Sequence, residues 1–214
     1  GREDVAALLD EGKVPLGLDL ETVEPVTWEL KKGNLLYLTD KEEQMIQFVK
    51  QIAHSKQKVI VLAPAYNELP EMEGVTILST KEDYVAGIKK MEENIQLRLE
   101  QQKSQHEATI VLYNQLELMN DLSMDLQSSL NYVLEKGARA GYATVAMSGS
   151  QLNRKIDEVS KSIKLYKQAI VAMRITDQSV LNVINRPVRE EPLDSQVNYY
   201  VEDGFVRKVK VLMK

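Results

Sequence analysis

The chain has 214 residues, 43% of them hydrophobic, no cysteine and a formal charge of −5. That length and apolar content suffice to bury a full core and would make two domains cramped, so a single α/β domain over residues 1–214 is expected. The lack of cysteine excludes disulfide and thiolate-metal chemistry, and the acidic balance argues against a nucleic-acid grip, which needs a basic face to displace counterions.

In chain order, Val26–Leu30 and Asn34–Leu38 are the first strand-like apolar runs, and Trp28 is expected to cover a sheet edge or core. Lys41–His54 reads as a helix because Met45, Phe48, Val49 and Ile52 fall on one face. Two further strand runs follow at Lys58–Leu62 and Val75–Leu78. A long helix is then expected from Lys81 to Lys103, marked by Tyr84, Ile88, Met91, Ile95 and Leu99. Beyond Leu99 the run Glu100 to His106 is polar and should project into solvent. Thr109–Tyr113 reads as a strand, and Asp121–Lys136 as a helix carried by Leu122, Leu126, Leu130, Val133 and Leu134. Ala143–Met147 and Ala169–Ile175 are the next strand runs. Several of these runs lack polar alternation, as strands covered on both faces do. Their alternation with helices indicates a largely parallel sheet with crossover connections. Arg186–Asp194, with Pro187 and Pro192, reads as a linker. Asn198–Glu202 and Phe205–Met213 flank Asp203-Gly204, a hairpin-turn dipeptide, and Val209, Val211 and Met213 should share a face of that hairpin.

The turn between the run ending at Leu38 and the helix after it stands where a nucleotide-binding protein carries its phosphate loop. Such a loop needs glycines so that backbone N–H groups can close on phosphate, a lysine to neutralise it, and a hydroxyl on magnesium. No glycine occurs between Asn34 and Glu73. Laid on without gaps, the loop spans Thr39, Asp40, Lys41, Glu42, Glu43, Gln44, Met45 and Ile46, with Met45 at the lysine position and Ile46 at the hydroxyl position. Acids near a helix start are favourable there, and Asp40 with Glu43 has the spacing of a capping box. The chain is therefore expected to fill its own anion site. Hydrolysis also needs an acidic pair at a neighbouring strand end. At that position Asn114 and Gln115 keep the shape of Asp-Glu but remove the charge that a hard cation prefers.

Other candidates point to structural roles. His54 and His106 lie near helix ends, where a polar ring suits exposed carbonyls. Ser148-Gly149-Ser150 has no identifiable base, Glu117 and Asp121 read as solvated surface, and Tyr113, Tyr199 and Tyr200 read as packing residues. No catalytic residue and no metal ligand is assigned.

The order of these parts resembles the FtsK/SpoIIIE-type ATPase domains, and most closely the last such domain of the coupling protein of type VII secretion systems. The resemblance rests on Val14-Pro-Leu-Gly-Leu-Asp-Leu20, Pro25-Val-Thr-Trp-Glu-Leu30, Asn34 to Leu38, Tyr113-Asn-Gln-Leu-Glu117, Leu134 to Gly141 and Thr176-Asp-Gln-Ser179. It implies a RecA-like P-loop ATPase fold, a mostly parallel sheet flanked by helices, here with a C-terminal β-hairpin. The family's Walker A lysine and hydroxyl map onto Met45 and Ile46, and its Walker B acids onto Asn114 and Gln115, so ATP turnover does not carry over; Arg139 matches a family arginine without a nucleotide to serve.

The resemblance thus implies a degenerate, catalytically silent domain with no cofactor expected. Its implied partners are exported small helical-hairpin substrates and the adjacent ATPase domains of a parent chain. The alternative is a nucleotide-binding ATPase domain, using ATP and magnesium, whose site is completed by a neighbouring domain or subunit. With no run of about 18 apolar residues and no secretory leader, direct membrane insertion is not expected. The implied setting is the cytoplasmic face of the membrane, on a membrane-anchored parent.

Overall fold

A computed structural model describes residues 12–55 and 57–211. Among the described residues, ten strands form one sheet in the order β2-β1-β10-β9-β8-β3-β7-β6-β4-β5. They are β1 Lys13–Asp19, β2 Pro25–Glu29, β3 Leu35–Leu38, β4 Val59–Leu62, β5 Val75–Leu78, β6 Ala108–Leu112, β7 Tyr142–Ser148, β8 Gln168–Val171, β9 Val197–Glu202 and β10 Phe205–Lys210. The helices are α1 Glu42–Ala53, α2 Lys81–Glu100, α3 Gln115–Asp121, α4 Met124–Lys136 and α5 Glu158–Ile163. From β8 to β5 every neighbouring pair is parallel, as the strand-helix alternation predicts. From β8 through β9, β10 and β1 to β2 every pair is antiparallel.

The apolar runs explain the parallel half. Leu35 to Leu38, Ala108 to Leu112 and Tyr142 to Ser148 are buried at every position, as strands covered on both faces must be. One face is packed by Tyr84, Ile88, Met91 and Ile95 of α2, Leu130 and Val133 of α4, and Val159 and Ile163 of α5. The opposite face carries the stripe Met45, Phe48, Val49 and Ile52 of α1, with Tyr37 and Phe48 stacked at 4.7 Å between ring centroids. Each such side chain, fully buried, contributes on the order of 1.5–3 kcal/mol. Trp28 lies in this second core with no exposure, and its Nε1–H donates to the Gly33 carbonyl at 3.0 Å.

Several boundaries differ from expectation. β1 has no counterpart among the expected strands because Pro15 and Gly17 interrupt its apolar pattern; the register shifts between them as a bulge. Gly17 has φ +148°, and a Cβ there would lie 2.1 Å from the Lys210 carbonyl oxygen, so only glycine lets β1 approach β10. The run Ala169–Ile175 is a strand only to Val171, and Ile175–Asp177 turns as a short 3-10 helix. The expected helix Asp121–Lys136 is two helices: Asp121 ends α3, and Ser123 caps α4 by accepting the Leu126 N–H. α2 stops at Glu100, so His106 lies in the turn leading to β6 and not at a helix end; the stretch 101–106 is exposed, as its polarity predicts. The hairpin turns at Asp203 and Gly204, both with positive φ. Val209 is buried on that hairpin, while Met213 lies outside the described residues.

Candidate functional site

Parallel sheets present ligand sites at the carboxyl ends of their strands. Here β3, β7 and β6 end side by side, followed by the segments Thr39 to Lys41, Gly149-Ser150 and Tyr113 to Gln115. Only Thr39, Asp40 and Lys41 separate β3 from α1, so the chain enters the helix almost directly. The Thr39 N–H donates to the Ser148 carbonyl at 2.9 Å, Thr39 Oγ1 accepts the Lys41 N–H at 3.1 Å, and the Thr39 hydroxyl meets Gln44 Oε1.

The capping box expected of Asp40 and Glu43 does not form. Lys41 is the N-cap of α1 and makes no side-chain cap. Asp40 instead reaches across to the loop after β7, where its Oδ1 accepts the Ser150 N–H and its Oδ2 the Ser150 hydroxyl, both at 2.8 Å. Glu42 accepts from the Tyr113 hydroxyl at 2.7 Å, so Tyr113 does more than pack. Burial, with Glu42 beside it, pushes the Tyr113 hydroxyl well above the ordinary tyrosine range. Glu43 is exposed. Met45 lies in the second turn of α1 with its side chain in the core, and Ile46 packs against the same cluster.

Asn114 adopts a left-handed conformation at φ 49° and opens α3. Gln115 is completely buried: its amide donates to Ser160 Oγ at 2.9 Å and its Oε1 accepts from Ser148 Oγ at 2.8 Å. Both ends of this amide are therefore spent inside the protein. Ser148 and Ser150 are thus hydrogen-bond donors to Gln115 and Asp40. Asp121, exposed, accepts the Ala65 N–H at 3.0 Å. His54 stands at the C-terminal end of α1, as expected. Arg139 is exposed, in the 3-10 turn Gly137–Ala140. Among the described residues no group of three or more His, Asp or Glu is placed to hold a metal ion.

A second feature is not distinguishable in the sequence. On the face where α1 is the helix contributing to the core, a groove of about 750 Å³ runs along α1 beside the antiparallel half of the sheet. Its floor includes Tyr37, Phe48, Ile170 and Tyr200, and its α1 wall carries Lys41, Gln44, Gln47 and Gln51. α1 spans 12 residues, about 18 Å at 1.5 Å per residue, enough to lie along three turns of a second helix. The sequence signal for this wall is the polar face of α1 opposite its apolar stripe, which by itself is indistinguishable from ordinary solvated helix.

No family model matches the chain. It is 24% identical over 212 residues to the type VII secretion system protein EssC of Staphylococcus aureus (strain MRSA252), a match covering 95% of this chain and 14% of that protein. The fold matches EssC ATPases 2 and 3 from Geobacillus thermodenitrificans with a TM-score of 0.82 at 18% identity, covering 94% of this chain and 41% of that one. It also matches Thermomonospora curvata EccC ATPases 2 and 3 in complex with a signal sequence peptide, with a TM-score of 0.73 at 13% identity over 97% of this chain and 42% of that one. The resemblance read from the sequence and the P-loop ATPase fold it implies are both borne out. The chain spans about 14% of the length of the curated relative it matches.

Proposed function

We propose that the chain is a catalytically silent ATPase-fold domain of a type VII secretion coupling protein, acting as a docking module for exported helical-hairpin proteins on the cytoplasmic side of the membrane. The observation that carries this reading is the apolar groove along α1, which has the form of a helix-in-groove site: an apolar floor with polar side chains along one wall. Its support from relatedness is that EccC ATPases 2 and 3, similar in fold, bind a signal sequence peptide.

Silence rests on the chemistry of the site. A triphosphate with magnesium asks for unspent N–H donors, a cation and carboxylates on the metal. The residues present do not fit it: Asp40 takes the donors of Ser150, Glu42 stands at the start of α1, Met45 is in the core and Gln115 is uncharged and bonded at both ends of its amide. In a parent chain such a domain would bias adjacent ATPase domains through substrate occupancy and not through its own hydrolysis. No helix among the described residues is long and apolar enough to cross a membrane.

Calorimetric titration tests both halves. Magnesium-ATP should give no binding heat, while an exported helical-hairpin protein should bind and an unrelated coiled coil should not. Gln47 is exposed on the groove wall, so Gln47→Trp should obstruct the groove and weaken that binding without unfolding the domain. Turnover of ATP by the isolated domain would end the claim of silence, and unaltered binding by Gln47→Trp would remove the groove as the docking site.

A further inference from the structure

The two donors of Ser150 converge on one carboxylate. Asp40 Oδ1 accepts the backbone N–H and Oδ2 the hydroxyl, each at 2.8 Å, across a separation of 110 residues in the chain. A carboxylate bound by both oxygens is held more strongly and with better-defined geometry than a neutral acceptor. The carboxylate lies over its neighbour: a Cβ on Gly149 would stand 2.6 Å from Asp40 Oδ1. Gly149 has φ −114°, a conformation open to any residue, so what glycine supplies there is room for the carboxylate and not backbone freedom; a larger residue would displace the carboxylate. On the near side, the Thr39 N–H donates to the Ser148 carbonyl and Thr39 Oγ1 accepts the Lys41 N–H, so both flanks of Asp40 are fixed as well. One face of this turn leads directly into α1.

We propose that Asp40 is a built-in anionic ligand: its carboxylate occupies the two donors after β7 and latches the β3–α1 turn, so the start of α1 is held in place without an external anion. The latch accounts for a short turn with no glycine of its own, because the space is supplied from the opposite loop by Gly149. It goes beyond the docking role and does not depend on what the groove binds.

The latch is tested with Asp40→Ala, which vacates both donors, and Gly149→Ala, which keeps every charge but pushes the carboxylate away. Amide hydrogen exchange should accelerate about tenfold or more at Ser150 and at residues 42–46 in both variants, reporting local opening and not global loss. Asp40 is exposed, so water screens the contact, and Asp40→Ala should lower Tm by only about 1–4 °C. Sodium formate, a carboxylate small enough to take the vacated place, should restore part of the lost protection in Asp40→Ala, whereas sodium chloride at matched ionic strength should not. Unchanged exchange at Ser150 and residues 42–46 in either variant would overturn the latch, as would equal effects of formate and chloride. The readout needs neither nucleotide nor secretion substrate, so its failure is distinct from a failure of the titrations above.

Discussion

The Tyr113 hydroxyl donates to Glu42 Oε1 at 2.7 Å, tying the residue that follows β6 to the first residue of α1 across the top of the sheet. Glu42 also accepts the Glu68 N–H at 3.4 Å, so three segments meet at one carboxylate. Tyr113→Phe keeps the ring in its buried place and removes only the hydroxyl. A loss of about 1–2 kcal/mol in urea titration is expected, typical of a hydrogen bond to a charged acceptor that can rehydrate in part. Stability equal to the parent chain would mean that this tie adds nothing.

Alkaline pH should weaken the fold through its tyrosines. Burial raises the hydroxyls of Tyr37, Tyr113 and Tyr200 above their ordinary range, and pushes Tyr84 and Tyr199 up to about 12. The folded chain then holds protons that the unfolded chain releases from about pH 10. The stability so contributed is complete below about pH 10 and is lost as pH rises from there through about 12. Tyrosinate absorbance followed together with circular dichroism should show buried tyrosines ionising with unfolding, not before it.

Gln115 gives a test at the degenerate acidic pair. Gln115→Leu leaves Ser148 and Ser160 without their amide partner, at a cost of about 1–3 kcal/mol. Gln115→Glu restores the family's acid but places a carboxylate at a position with no solvent exposure. Burial raises the pKa of such a group above its unfolded value of about 4.3, so the folded state holds the proton longer. Relative to the parent chain the variant should lose stability as pH rises above that value and regain it in acid, as thermal melts at about pH 5 and about pH 8 would register. No ATPase activity is expected to return.

Glu190 orders the stretch that reads as a linker. Its carboxylate accepts the Ile175 and Thr176 N–H groups at 2.6 and 2.9 Å and the Tyr199 hydroxyl at 3.1 Å. Glu190→Ala therefore uncaps the 3-10 turn Ile175–Asp177 and should cost about 1–3 kcal/mol. Limited proteolysis should cut between residues 178 and 196 sooner than in the parent chain, and identical cleavage would show that this stretch is held by other contacts.

The local elements were legible wherever neighbours along the chain decide the outcome. The stripes of α1, α2 and α4 follow the helical period, the continuous apolar runs mark the covered strands, and Asp203-Gly204 marks its hairpin. β1 was hidden by Pro15 and Gly17, whose bulge makes sense only once β10 lies alongside. α3 and α5, at 7 and 6 residues, are too short to show a period. Charge and residue type alone determined that the phosphate-loop position carries acids and no glycine, because composition needs no coordinates. Only the tertiary structure decided where those acids point. Spacing offered Asp40 a partner in Glu43, three residues away, whereas folding brought Ser150 within 2.8 Å, and a convergent pair of donors outcompetes a cap. The groove belongs wholly to that second level, since its floor and wall come from β3, α1, β8 and β9, which meet only when the sheet is assembled.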